Sequence, residues 1–75
     1  MPVQISGGEL VKALSKDGWE TVRVSGSHHV MGHLDGRRVS VPVHGNHPLP
    51  AGTLASICRS VGRTASELRS LIQSR

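Results

Sequence analysis

The chain has 75 residues, with nine Lys and Arg against five Asp and Glu, a formal net charge of +4 and a single cysteine, Cys58. That length makes one small domain, 1–75, which buries only about 60% of the surface its unfolded chain exposes, and one cysteine excludes both an internal disulfide framework and a cysteine-rich zinc finger. No apolar run approaches the roughly 20 residues of a membrane-spanning helix, and the opening MPVQISGGEL has neither a basic leader nor a long apolar stretch, so a soluble cytoplasmic protein with no membrane partner is expected.

Hydrophobic residues make up 36% of the chain, nearly all aliphatic, with Trp19 the lone aromatic. The core is therefore expected to be thin and aliphatic. Charge is uneven: residues 1–36 carry three Lys and Arg against four Asp and Glu, whereas residues 37–75 carry six Arg against Glu67 alone. A basic half of this kind favours a phosphate polymer or an acidic protein.

In chain order, Ser6-Gly7-Gly8-Glu9 has the form of a capping box and opens a helix over about 7–17, with Leu10, Val11, Ala13 and Leu14 at helical spacing and Gly18 as a left-handed stop. From Trp19 the period changes to two. A strand over 19–25 is expected, with Thr21, Arg23 and Ser25 on one face and Glu20, Val22 and Val24 on the other. Gly26-Ser27 interrupts it, and His28–His33 forms a second strand closed by Asp35-Gly36, a dipeptide favoured in tight hairpins. A third strand follows over 37–43, with Val39, Val41 and Val43 alternating with Arg38, Ser40 and Pro42; Pro42 cannot donate to a ladder, so this strand lies at an edge or ends there.

Residues 44–50 are loop by composition, and a helix over 51–61 buries Leu54, Ile57, Cys58 and Val61 before stopping at Gly62. Thr64-Ala65-Ser66-Glu67 repeats the capping-box pattern and opens a last helix with Leu68, Leu71 and Ile72. The order α-β-β-β-α-α implies an α+β fold in which a three-stranded antiparallel meander is covered by helices on one face and open on the other. On the third strand the open face carries Arg38 and Ser40, opposite the valines.

All five histidines fall between positions 28 and 47. His28 and His29, as strand neighbours, must point to opposite faces, so one of them belongs to the surface, where an imidazole can exchange a proton near neutral pH. The spacings His29/His33 and His44/His47 align ligands only on a helix, and Asp35 is the one carboxylate close in sequence, so no metal site is expected. Cys58 lies on an apolar helical stripe and reads as buried and inert. Gly7-Gly8 and Gly52 lack the spacing and lysine of a nucleotide loop. Trp19 reads as a core plug.

Several of these segments, taken together, resemble a known family. Asp17-Gly18-Trp19, Val22-Arg23-Val24 running into Gly26-Ser27-His28-His29, Asp35-Gly36-Arg37-Arg38-Val39, Val41-Pro42-Val43-His44-Gly45-Asn46, and Gly52-Thr53-Leu54 leading to Ile57 occur in the order of the HicA toxin family, also called YcfA-like, over residues 6–62. The resemblance implies a double-stranded-RNA-binding-domain-like fold, α-β-β-β-α, and the helix over 64–73 is a C-terminal extension past that core. It implies a metal-independent mRNA endonuclease without a small-molecule cofactor, the toxin of a type II toxin–antitoxin pair, with mRNA and a HicB-like antitoxin as partners.

The family's Gly-Ser-His motif falls on Gly26-Ser27-His28, which makes His28 the expected catalytic residue and His29 the alternative. Arg23, Arg37 and Arg38 are the nearest cations for a charged phosphorane, and Gly26 and Ser27 are expected to meet the RNA backbone. Two other functions fit the composition: a non-catalytic RNA-binding module of the same fold, and a small DNA-binding regulator built on the helices over 51–73 with Arg59, Arg63 and Arg69. The helix at 51 opens with Leu49-Pro50-Ala51-Gly52-Thr53 and no lysine, which weighs against classical duplex-RNA binding.

Overall fold

A computed structural model describes residues 3–73. Helix α1 (Gly7–Lys16) is followed by strands β1 (Trp19–Ser25), β2 (His28–His33) and β3 (Arg38–Pro42), then by helices α2 (Ala51–Val61) and α3 (Ala65–Gln73). The protein is α+β, in the order expected, with an antiparallel sheet ordered β1-β2-β3.

Local chemistry sets the boundaries. Ser6 Oγ accepts from the Glu9 amide at 3.2 Å while Glu9 Oε1 accepts from the Ser6 amide at 3.0 Å, so two otherwise unpaired donors of the first helical turn satisfy one another. The same reciprocal pair recurs between Thr64 and Glu67 at 3.1 and 2.8 Å. Gly62 ends α2 in the left-handed region at φ 74°.

Helix α1 lies across all three strands, α2 covers β3, and α3 packs on α1 and α2 without touching the sheet. The core between these layers contains Leu10, Leu14, Trp19, Met31, Val41, Leu54, Ile57 and Leu68, with Ile5 and Leu49 closing one end. Trp19 is 3% exposed and is the core plug expected of a lone tryptophan. Val11, Cys58, Leu71 and Ile72 are only partly buried at its margin.

Gly7 shows why α1 sits so close to the sheet. A Cβ there would fall on the Pro42 carbonyl and 2.8 Å from Val43 Cα, so only glycine lets the helix start rest on the end of β3. The Leu49 amide donates to Ile5 O at 2.8 Å, which ties the loop after β3 back to the same corner.

Strand β1 departs from the simple alternation. Its register to β2 shifts between Thr21 and Arg23: Thr21 faces Met31, Arg23 faces Val30, and Val22 is the extra residue of a β-bulge. Directly opposed residues share a face of the sheet, so Thr21 joins Met31 on the helix-covered side, where its hydroxyl lies 3.2 Å from Met31 Sδ. Arg23 and Ser25 then share the open face with Glu20, and Val24 turns to the covered side beside His29 and Val41. The expected grouping of Thr21 with Arg23 and Ser25, and of Val24 with Glu20, is thus corrected: one inserted residue reverses the parity of everything beyond it.

Candidate functional site

The first hairpin presents the histidines. Ser25 pairs with His28, leaving Gly26 and Ser27 as a two-residue turn; φ is +59° at Gly26 and not positive at Ser27, the primed geometry in which glycine takes the first central position. The Val43 amide donates to Ser27 O at 2.6 Å, which fastens this turn to the end of β3.

From that turn the two neighbours diverge. His28 is exposed on the open face, between Ser25 of β1 and Pro42 of β3. His29 points to the covered side between Val24 and Val41, half-buried, and its Nδ1 is buried without a hydrogen-bond partner. One histidine therefore faces solvent and the other the helices, as strand geometry requires.

The ladder lays out the open face in three rungs. Ser25, His28 and Pro42 form the first, Arg23, Val30 and Ser40 the second, and Glu20, Gly32 and Arg38 the third. Arg23 is diagonal to His28, an arrangement that puts Cα atoms about 7–8 Å apart, within reach of a long side chain. Arg38 lies on the same face but about 13 Å further along the strand direction. Neither arginine makes an ion pair among the described residues.

Arg37 is placed differently. The second hairpin closes through a three-residue loop, Leu34–Gly36, in which the Gly36 amide donates to His33 O and the His33 amide to Arg37 O, both at 2.9 Å, with Gly36 at φ 96°. The expected tight Asp35-Gly36 turn is in fact one residue longer, because glycine in the left-handed region forms the bulge that returns the chain to register. Arg37 Nε donates to Asp35 at 2.7 Å, its Nη1 donates to the Ser60 carbonyl at 3.1 Å, and its guanidinium lies 5.2 Å from the Trp19 ring centroid. These bonds to Arg37, its backbone amide first, hold the Asp35 carboxyl below its ordinary range. Arg37 is thus a clamp between the second hairpin and the end of α2, away from His28.

His33 belongs to the same cluster, its ring 5.1 Å from that of Trp19 and its Nδ1 3.2 Å from Asp35. Neither this cluster nor the hollow over Gly32 is legible in the alternation. Among the described residues no group of three or more His, Cys, Asp or Glu is arranged to hold a metal ion. His44 and His47 are exposed in the loop after β3. Cys58 is half-buried, and burial raises its thiol above the ordinary value, which disfavours the thiolate.

The arginines of the helix pair are largely committed. Arg63 binds Asp17 at 2.9 Å and Glu67 at 3.4 Å, and Arg69 binds Glu9 at 2.8 Å and also donates to Gln4 O. Arg59 makes no ion pair among the described residues, and neither do Arg23 and Arg38 on the open sheet face, where Arg23 is diagonal to the exposed His28. No helix among the described residues is long and apolar enough to cross a membrane.

A family model described as the HicA toxin of bacterial toxin–antitoxin systems matches residues 7–62. No curated protein matched the chain.

Proposed function

Because the chain belongs to the HicA toxin family, and is thereby the toxin of a bacterial toxin–antitoxin system with an antitoxin as its partner, we propose that it is a cytoplasmic endoribonuclease that cleaves mRNA without a metal or cofactor and is neutralised by a HicB-like protein. One observation carries the reading: His28 stands exposed on the uncovered sheet face, with Arg23 on the diagonal and no carboxylate in its rung or the next.

The chemistry follows from that arrangement. A ribose 2′-OH gives its proton to the His28 imidazole as its oxygen attacks the adjacent phosphorus. The P–O5′ bond breaks, the leaving oxygen takes up a proton, and the products are a 2′,3′-cyclic phosphate and a 5′-OH. Arg23, on its diagonal, faces the non-bridging oxygens on which charge builds, where a fixed cation lowers the barrier. Arg38 holds the strand further along. Ser27 offers a hydroxyl to phosphate, and Gly26, bare of a side chain, lets the RNA backbone approach the turn. His29, turned to the covered side, supports the hairpin by packing between Val24 and Val41.

The test is incubation of the purified chain with single-stranded mRNA in EDTA, beside His28→Ala and His29→Ala variants folded to the same extent. Cleavage lost in His28→Ala and kept in His29→Ala is the expected result. An inactive wild-type chain, or an active His28→Ala variant, overturns the proposal.

A further inference from the structure

The third rung of the open face is unlike the other two. Gly32 is its central residue, and with no side chain there the sheet has a hollow of about 470 Å³ bordered by Glu20, Val22, Leu34 and Arg38, with Trp19 at its inner edge. A volume of that size suits a small organic ligand. Val22 and Leu34 are two of the three exposed large hydrophobic residues among the described residues, at 42% and 98%, so the hollow has apolar walls.

Its polar side chains are Glu20, Arg38 and His33, the last already engaged by Trp19 and Asp35. Of the five carboxylates, Glu9, Asp17, Asp35 and Glu67 are ion-paired, whereas Glu20 has no such partner among the described residues. Glu20 and Arg38 flank Gly32 on either side, in register, so their Cα atoms are about 10 Å apart across two strand spacings. An acceptor-only group thus faces a donor-only group across the Gly32 backbone, between apolar walls. On a basic face that otherwise suits RNA phosphates, a lone carboxylate is unfavourable unless it accepts from donors of the ligand itself.

We infer that this hollow is a base-binding subsite selective for guanine, placed to hold a nucleotide neighbouring the one cleaved at His28. The inference rests on the proposed RNA substrate and deepens it. Guanine alone among the four bases presents two adjacent donors, N1–H and N2–H, which match the two oxygens of Glu20, together with acceptors O6 and N7 for the Arg38 guanidinium. Adenine and cytosine lack the paired donors, and uracil offers one donor where the carboxylate has room for two. The base face lies on the bare backbone of Gly32, with Val22 and Leu34 at its sides. A side chain at position 32 would fill the floor, since a Cβ there already comes within 3.1 Å of Val22 Cγ1.

The test is an NMR titration of the full chain with the four ribonucleoside 3′-monophosphates, which contain no bond to cleave. Guanosine monophosphate is expected to shift the Glu20, Gly32 and Leu34 amides, with a dissociation constant about fivefold or more below the other three, the discrimination of one bidentate pair. Glu20→Gln, which turns one acceptor into a donor facing the base's own donors, is expected to remove that preference. Equal affinity for the four nucleotides, shifts confined to other surfaces, or a guanine preference that survives Glu20→Gln each overturns the inference. Guanine binding by a chain that cleaves no RNA would support the subsite while removing the proposed activity, so the two fail separately.

Discussion

The two ends of the sheet are held in opposite ways. At the His33 end the supports are side chains: Arg37 joins Asp35, the Trp19 ring and the Ser60 carbonyl. At the His28 end they are backbone: the Val43 amide holds Ser27 O, and α1 begins against the Pro42 carbonyl because Gly7 has no Cβ. Backbone support leaves His28 and Arg23 uncommitted and still fixes where they stand. A surface built this way is preorganised without consuming the groups it presents.

Substitutions at either end test that contrast. The largest expected effect is on chemistry: His28→Ala lowers cleavage by about 10²–10⁴-fold, the usual worth of a general acid or base, with an unchanged melting temperature, read by gel assay and calorimetry on one preparation. Gly7→Ala attacks the backbone support and is expected to cost about 1–3 kcal/mol, as overpacking does. Denaturant unfolding measures it, and an unchanged midpoint would mean that the close approach is not a constraint. Arg23→Ala is expected to reduce kcat/KM for RNA about tenfold without loss of stability, which is less than a buried donor to an oxyanion would give because the site is open to water.

Arg37→Ala should show the reverse pattern. It removes a cation–π contact and two hydrogen bonds and is expected to cost about 1–2 kcal/mol of stability, while cleavage per folded molecule is kept. Loss of cleavage exceeding that of Arg23→Ala would erase the distinction between the two ends. The smallest effect concerns Glu9, whose carboxyl is lowered from 4.5 to about 2, chiefly by its hydrogen bond from Arg69 and then by the Ser6 amide. The folded state therefore holds the proton less tightly than the unfolded chain, so the contribution is complete above pH 4.5 and disappears as pH falls toward 2. Because the pair is partly exposed, Arg69→Ala is expected to remove less than about 1 kcal/mol. Melting curves of the wild type and Arg69→Ala should differ near neutrality and converge in acid.

Element boundaries were legible in the sequence because their causes are local: Ser6 with Glu9, Thr64 with Glu67, and glycines 18 and 62 at helix ends. The face assignments of β1 were not, since every residue from Thr21 to Val24 fits a strand in either orientation and only the pairing with Met31 and Val30 shows that Val22 is extra. Arg37 and Arg38 are indistinguishable as letters. What separates them is Trp19 and Ser60, distant in the chain, which bind one and leave the other on the open face. The hollow at Gly32 is not legible for a related reason: a missing side chain becomes a feature only once its cross-strand neighbours are known.

The partly exposed clasp of Arg63 to Asp17 and Arg69 to Glu9 fastens α3 along α1, and between those ties Leu68 is fully buried. Leu68 lies beyond residue 62, where the match to the family ends. The segment that the family model matches and the segment that must be present for the core to close are therefore different lengths, and a version cut to the matched part would carry the family's motifs on an interior with one wall removed.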